Sequence, residues 1–354
     1  CSYCDFFSLK YNEQLLNKYI NALKKEIKFY GSKITEKIKT IYFGGGTPSL
    51  ISSNSLADLL NLIDNNFSLS NNIEISLEAN PESLNENKIK AYKNNGVNRI
   101  SLGVQSFNDQ ALKILGRLHD SNRAKKVIED IKKDFKNYSF DLIFAIPEQN
   151  FSNWKNNLKK ALEISPPHIS IYNLQIEKGT LLSEKVNNNE LKTIKEELDA
   201  KMYEYTMKEL EKFSYKQYEI SNFAKKGYES KHNLCYWKYD PYLGLGTAAH
   251  SFTSKTRFYN PSSLEKYLED IEKNANAIKE FNKLSLEQRM SEKMIMGLRL
   301  MNGVNFKDFY SQFNIELKKV YKKEINELIE KKLIEVNRSR VKKNKKGKLL
   351  GNKV

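Results

Sequence analysis

Short apolar runs and amphipathic stretches alternate through the first half of this chain at roughly 30–40 residues per repeat, which leaves few folds open. The runs are Ile38 to Phe43, Ile73 to Leu77, Arg99 to Val104, Tyr138 to Phe144 and His168 to Leu174. Between them, Ser55 to Ile63, Asn87 to Asn94, Asn122 to Asp134 and Trp154 to Glu163 read as helices, and Tyr11 to Tyr30 reads as a helix ahead of them. In that first helix Leu15, Leu16, Tyr19, Leu23, Ile27 and Tyr30 recur at helical spacing. The pattern predicts βαβ units and a parallel sheet, hence an α/β fold. Several predicted strands end in polar or Gly-rich segments, where α/β and barrel proteins gather their sites. A further strand is expected ahead of Cys1, so the sheet is read as a partial barrel with its N-terminal strand missing.

The second half reads differently. Asn188 to Phe213 has the pattern of a long, charged amphipathic helix. Tyr215 to Tyr259 is rich in aromatic residues and holds two of the four histidines. Pro261 to Asn274, Leu286 to Leu300, Phe306 to Phe313 and Leu317 to Lys332 read as helices, and Ile334 to Lys348 as a short basic ribbon. Helices followed by a ribbon suit a small winged-helix-like domain. Three parts are expected: a core over 1–180, an extension over 181–275 and a C-terminal helical domain over 276–354.

Composition removes several classes of function. With 40% hydrophobic and 29% charged residues in 354, the chain has the balance of a globular protein. No apolar run approaches the ~20 residues that span a bilayer. The formal charge is +16, yet the basic residues are mostly lysines scattered among Asn, Ile and Glu, and no nucleic-acid-binding module accompanies them. Nucleic acid is therefore not expected as a partner. The run from Lys342 to Lys346 is read as a solvated ribbon turn, although its charge also suits peripheral contact with anionic lipid or a protein partner. Three cysteines are no disulfide framework for this length, and a reducing, cytoplasmic compartment fits better. The chain opens on Cys1 rather than Met, so its natural start is expected upstream.

Cys1-Ser2-Tyr3-Cys4 is a CxxC motif. A redox dithiol, half of a zinc site and part of an iron–sulfur site are all consistent with it. A cluster held by three thiolates keeps one iron open to a cofactor or substrate. Further segments stand at the ends of successive predicted strands: Gly44-Gly45-Gly46-Thr47-Pro48-Ser49, Glu78-Ala79-Asn80-Pro81, Ser101 to Phe107, Leu115-Gly116-Arg117-Leu118-His119, and Phe140-Asp141-Leu142-Ile143. Glycines let backbone N–H and C=O groups approach a ligand, a carboxylate suits an ammonium, and a guanidinium suits a carboxylate. Taken singly, each segment could equally be a turn, a cap or a surface residue.

Together, in this order, these segments resemble the radical S-adenosylmethionine superfamily, and within it the group of oxygen-independent coproporphyrinogen oxidase and the bacterial heme chaperones. The resemblance implies a partial (βα)6-type barrel. It also implies a 4Fe–4S cluster on CxxxCxxC, with Cys1 and Cys4 as the second and third cysteines and the first upstream of the chain. It further implies S-adenosylmethionine held by Tyr3, Gly45, Gly46, Thr47, Glu78, Gln105, Arg117 and Asp141. Ser170 to Thr180 and Tyr218 to Ala224 narrow the match to the heme-related group.

Two features favour the chaperone branch. The oxidase branch carries another cysteine two positions past the third, where this chain has Phe6. His232-Asn233-Leu234-Cys235-Tyr236-Trp237 matches HNxxYW, and Gly244 to His250 keeps the family's G-x-G-x-x-A-H spacing. A porphyrin needs apolar walls, stacking aromatics and often an axial donor, so His232 and His250 are the candidates for heme. Core hydrogen bonding is the plain alternative for both, and His119 and His168 are read as structural. The branch implies heme binding and delivery to an apo-heme protein, often respiratory. The alternative is oxidative decarboxylation of coproporphyrinogen III.

Overall fold

The structure is a computed structural model, described over residues 1–350; residues 351–354 at the end of the expected C-terminal domain lie outside the described residues. The first five strands are β1 (Ile38–Phe43), β2 (Leu69–Ala79), β3 (Arg99–Gln105), β4 (Tyr138–Phe144) and β5 (His168–Asn173). They are parallel and lie side by side in chain order, with β6 (Lys216–Gln217) and β7 (Asn222–Ala224) completing the order β1-β2-β3-β4-β5-β7-β6. The last two correct a purely parallel reading, since β7 runs antiparallel to β5 and β6 antiparallel to β7.

Helix α1 (Glu13–Gly31) precedes the sheet. Each crossover then carries one or two helices: α2 (Ser53–Asn66), α3 (Glu86–Asn94), α4 (Asp109–Ile114) with α5 (Ser121–Asp134), and α6 (Phe151–Ile164). Caps explain where they begin. Ser52, Asn85, Asn108, Asp120 and Asn150 each accept a hydrogen bond from a backbone N–H in the first turn that follows. The helices bury Leu56, Leu59, Ile89, Tyr92, Val127, Ile131, Trp154 and Leu158 against one face of the sheet. That face consists of Ile75 and Leu77, Ile100, Leu102 and Val104, Phe140 and Leu142, and Ile169 and Ile171.

The opposite face is polar. Side chains alternate sides along a strand, so Thr40 and Tyr42, Glu74, Ser76 and Glu78, Arg99, Ser101 and Gly103, Ser139 and Asp141, and His168 and Ser170 share it. Cross-strand bonds link them, as between the Ser101 and Ser139 hydroxyls at 2.9 Å. Parallel sheets covered on both faces read as continuous apolar runs; this alternation makes one face core and the other a polar interior.

Downstream come α7 (Leu181–Asn187), α8 (Glu196–Lys212) and α9 (Lys231–Trp237). A ribbon of β8 (His250–Phe252), β9 (Thr256–Tyr259) and β10 (Glu280–Lys283) follows, with α10 (Leu264–Asn274) between β9 and β10. The helix expected from Asn188 begins only at Glu196, because the preceding α7 ends at Asn187 and Asn189 adopts a positive φ of 58°.

The C-terminal part comprises α11 (Leu286–Gly297), β11 (Val304–Asn305), α12 (Phe306–Phe313), α13 (Leu317–Val320), α14 (Lys322–Glu330), β12 (Ile334–Val336), β13 (Arg340–Lys343) and α15 (Lys345–Leu349). It has its own core of Met290, Met294, Val304, Phe309, Phe313, Leu317, Ile325, Ile334 and Val341. Two expectations are corrected. Leu317 to Lys332 is two helices, broken where Tyr321 leaves helical geometry (φ −106°, ψ 28°). Lys342 to Lys346 is not a ribbon turn: Lys342 and Lys343 lie on β13, and Asn344 caps α15. The ribbon turns instead around Asn337, whose Oδ1 accepts from the backbone N–H groups of Ser339 and Arg340. Among the described residues, no helix is long and apolar enough to cross a membrane.

Candidate functional site

The C-terminal ends of β1 to β4 bring most of the predicted residues together. After β1 the chain turns through Gly45 and Gly46, both with positive φ (77° and 49°), and a Cβ on either would meet nothing within 4 Å. These positions are glycine for conformation, and the space above them is open. Gly45 N–H donates to Glu78 Oε2 at 3.1 Å, and the Tyr42 hydroxyl donates to Glu78 Oε1 at 2.5 Å. A carboxylate has about four acceptor positions, so two bonds leave room for a cationic donor. Enclosure raises the Glu78 carboxyl above its ordinary range, and the bonds from Tyr42 and Gly45 oppose that rise.

Beyond β3 the packing is tight. A Cβ on Gly103 would lie 2.9 Å from Asn80 Oδ1, 3.0 Å from Gln105 Nε2 and 3.3 Å from Arg117 Nη2. Glycine there lets three polar side chains converge. Gln105 ends the strand in a left-handed conformation (φ 63°) with its side chain buried. Arg117 Nη2 donates to Asn80 Oδ1 at 2.5 Å and to the Gly103 carbonyl at 2.9 Å, while its Nε is buried without a partner. Asn80 in turn donates to Thr47 Oγ1 at 3.4 Å. Asp141 is half-buried, accepts from Ser101 Oγ at 3.4 Å, and has its carboxyl pushed up to about 7, first by enclosure and further by the Glu78 charge, against the Ser170 hydrogen bond.

The cysteine loop sits at the same mouth. Ser2 binds the carbonyls of Leu115 and Ile114 through its N–H and hydroxyl, and its own carbonyl accepts from Leu182 N–H. Tyr3 packs on a small apolar cluster of Ala111, Leu115, Ile143 and Ile146. Cys1 and Cys4 are exposed, and Arg117 Nη1 lies 3.2 Å from Cys1 Sγ. Among the described residues, no group of three or more His, Cys, Asp and Glu side chains forms a metal-binding cluster. Cys1 and Cys4 are both free thiols in this loop.

The two histidines proposed from the sequence stand apart in character. His232 is wired into the sheet: its ring stacks on Tyr42 at 4.6 Å and 10°, Nδ1 lies 2.9 Å from Thr40 Oγ1, and Nε2 lies 2.9 Å from Tyr236 Oη. Glu74 accepts from the backbone N–H groups of Lys231 and His232, and Ser230 caps the same helix. Enclosure lowers the His232 imidazole to about 4, so it is neutral near pH 7. His250 is exposed on β8 and stacks on Tyr259 at 5.1 Å. A run of rings leads from His232 through Tyr236 and Tyr242 to Phe252, while His250 stacks on Tyr259. Cys235 donates its thiol back to the Lys231 carbonyl. His119 bridges Glu82 and the Val104 carbonyl, and His168 meets the Tyr218 hydroxyl.

Sequence reasoning missed Tyr42, Thr40, Gly103 and Asn80 as members of this site. Thr40 and Tyr42 carried a signal, being polar or amphipathic residues at alternate positions of a strand whose other residues, Lys39 apart, are apolar.

Comparison with known proteins shows the family and the fold. Residues 1–161 match the family model described as the Radical SAM superfamily, and residues 284–350 match the HemN C-terminal domain. Over its whole length the chain is 38% identical to the heme chaperone HemW of Lactococcus lactis, covering 92% of that protein, and 35% identical to HemW of Bacillus subtilis, covering 94%. It is 34% identical to HemW of Escherichia coli over 76% of this chain and 74% of that one. The solved structure of the coproporphyrinogen III oxidase HemN from Escherichia coli superposes with a TM-score of 0.85 at 19% identity, covering 99% of this chain and 85% of that one, which shows a shared fold. A polar-faced sheet with its glycine turn, Glu78, Gln105 and Arg117 around one mouth, and 38% identity across the full chain, give one conclusion: this protein belongs to the radical SAM superfamily, in the group of the HemW-type proteins.

Proposed function

We propose that this protein is a heme chaperone of the radical SAM type, binding a 4Fe–4S cluster, S-adenosylmethionine and heme, and passing heme to an apo-heme protein. The observation that carries the reading is the convergence of the Gly45–Thr47 turn, Glu78, Gln105, Arg117 and Asp141 around one opening beside Cys1 and Cys4. The donor set fits an amino-acid nucleoside. Glu78 would accept the ammonium and Arg117 the carboxylate, its unpartnered Nε being free to donate. Gln105 and Asp141 would hold the ribose, with Gly46 and Thr47 lining the approach and Tyr3 closing the side. Cys1 and Cys4 would bind iron as thiolates. A reduced cluster of this kind supplies one electron to the cofactor it holds.

His232 is the stronger candidate for heme. A neutral imidazole is the form that binds iron, and Thr40 Oγ1 would accept Nδ1–H as ligating histidines require. Nε2 would then face the iron once the Tyr236 hydroxyl gives way. His250, exposed on its ribbon, would be a secondary contact. In this reading the cofactor core spans 1–180, an extension over 181–275 would face heme, a C-terminal domain spans 276–354, and reduced thiols suit the cytoplasm.

Anaerobic reconstitution of the protein with iron and sulfide, followed by titration with heme, tests both halves. Absorption near about 400 nm from thiolate–iron charge transfer and a distinct heme band are expected. Conversion of coproporphyrinogen III to protoporphyrinogen would overturn the reading in favour of the oxidase.

A further inference from the structure

Tyr42 joins two regions that the proposed function treats separately. Its hydroxyl donates to Glu78 Oε1 at 2.5 Å, while its ring lies face to face with His232 at 4.6 Å and 10°. Glycine at position 44 makes room for this ring, since a Cβ there would lie 2.5 Å from its edge. His232 is pinned from its other sides by Thr40 and Tyr236. One aromatic side chain therefore touches the carboxylate at the strand ends and the imidazole of α9.

We infer that Tyr42 is a positioning residue that transmits the occupancy of Glu78 to His232, so that a cationic amino-acid ligand at the strand ends loosens the hold of α9 on heme. The inference rests on the proposed function. A phenol donating to a free carboxylate is electron-rich, and an imidazole bound to iron is electron-poor; that contrast favours stacking. A ligand ammonium on Glu78 competes for the carboxylate charge, weakens its polarisation of the phenol and so weakens the stack. Linkage makes the effect mutual: heme lowers the affinity for the amino-acid ligand by the same factor.

The test is a heme titration of the reconstituted protein with and without saturating S-adenosylmethionine, in the wild type and in Tyr42→Phe. The variant keeps the ring and its stack but removes the donor. S-adenosylmethionine should weaken heme binding about fivefold or more in the wild type, within the range of ordinary site-to-site coupling, and by less than about twofold in Tyr42→Phe. A ratio unchanged in Tyr42→Phe, or no ratio in the wild type, overturns the inference. A second readout needs no Tyr42 variant. In heme-free protein, S-adenosylmethionine should shift the ¹⁵N signals of the His232 ring, assigned by their loss in His232→Gln; unmoved signals contradict the link. His232→Ala separates the two levels. If it abolishes heme binding while wild-type affinity ignores S-adenosylmethionine, the functional reading stands and this inference alone falls. If heme binds with unchanged affinity, the assignment of His232 and this inference fall together; if the wild type binds no heme at all, the functional reading falls.

Discussion

The two faces of the parallel sheet are built from alternate residues of the same strands, yet they do opposite work. On β2, Ile75 and Leu77 are packed under α2 and α3, while Glu74, Ser76 and Glu78 face the interior. On β4, Phe140 and Leu142 fill the core, while Ser139 and Asp141 meet Ser101 across the sheet. The apolar face holds the fold; the polar face keeps groups available at some cost in stability. Enclosure raises the carboxyls of both Glu78 and Asp141, the direction that the loss of solvent gives. A substitution should therefore move either stability or ligand binding, according to the parity of its position.

The largest effect belongs to the apolar face. Phe140, fully buried, should cost about 3–5 kcal/mol when changed to alanine. Urea denaturation measures that loss, while affinity for S-adenosylmethionine stays near wild type wherever the protein remains folded. Next comes Glu78→Gln, which removes a charged acceptor from an enclosed site. Affinity for S-adenosylmethionine should fall by about 1.5–3 kcal/mol, roughly 10- to 150-fold, with a stability change under about 1 kcal/mol.

Asp141 sharpens the comparison through pH. Its native carboxyl binds a proton up to about pH 7, against an ordinary 3.8, so between those values the folded state holds more protons than the unfolded chain. Its contribution to stability is therefore fully present below about pH 4 and falls as pH rises to about 7. Asp141→Asn should flatten that descent in denaturation curves taken across the window. Smallest of all, His250→Ala should change stability by less than about 0.5 kcal/mol, as an exposed ribbon residue. His232→Ala should exceed it in both stability and heme affinity, because the ring holds Thr40, Tyr42 and Tyr236 together.

The five parallel strands and most of their helices were legible from periodicity, because core-facing residues recur and caps such as Ser52 and Asn85 stand at their starts. Short elements were not. Helix α4 spans six residues and α9 seven, too few turns for a pattern to form, and α9 is fixed by a distant carboxylate, Glu74, that local sequence cannot reveal. The site was legible as motifs but not as geometry. Gly103 carries no chemistry of its own, and its role is to let Asn80, Gln105 and Arg117 meet. His232 and His250 looked alike because residue type was the evidence for both; only tertiary packing separates the stacked ring from the exposed one. The polar face itself was readable in principle, from the Glu74, Ser76, Glu78 alternation in a strand that a sheet covered on both sides would have made apolar.

The most direct test sets neighbours on one strand against each other. Calorimetric titration of S-adenosylmethionine into reconstituted Leu77→Ala and Glu78→Gln proteins, at a temperature where both are folded, should show binding retained in the first and lost or weakened at least tenfold in the second. Equal affinities in the two variants would contradict the assignment of the inward polar face as the ligand-holding surface.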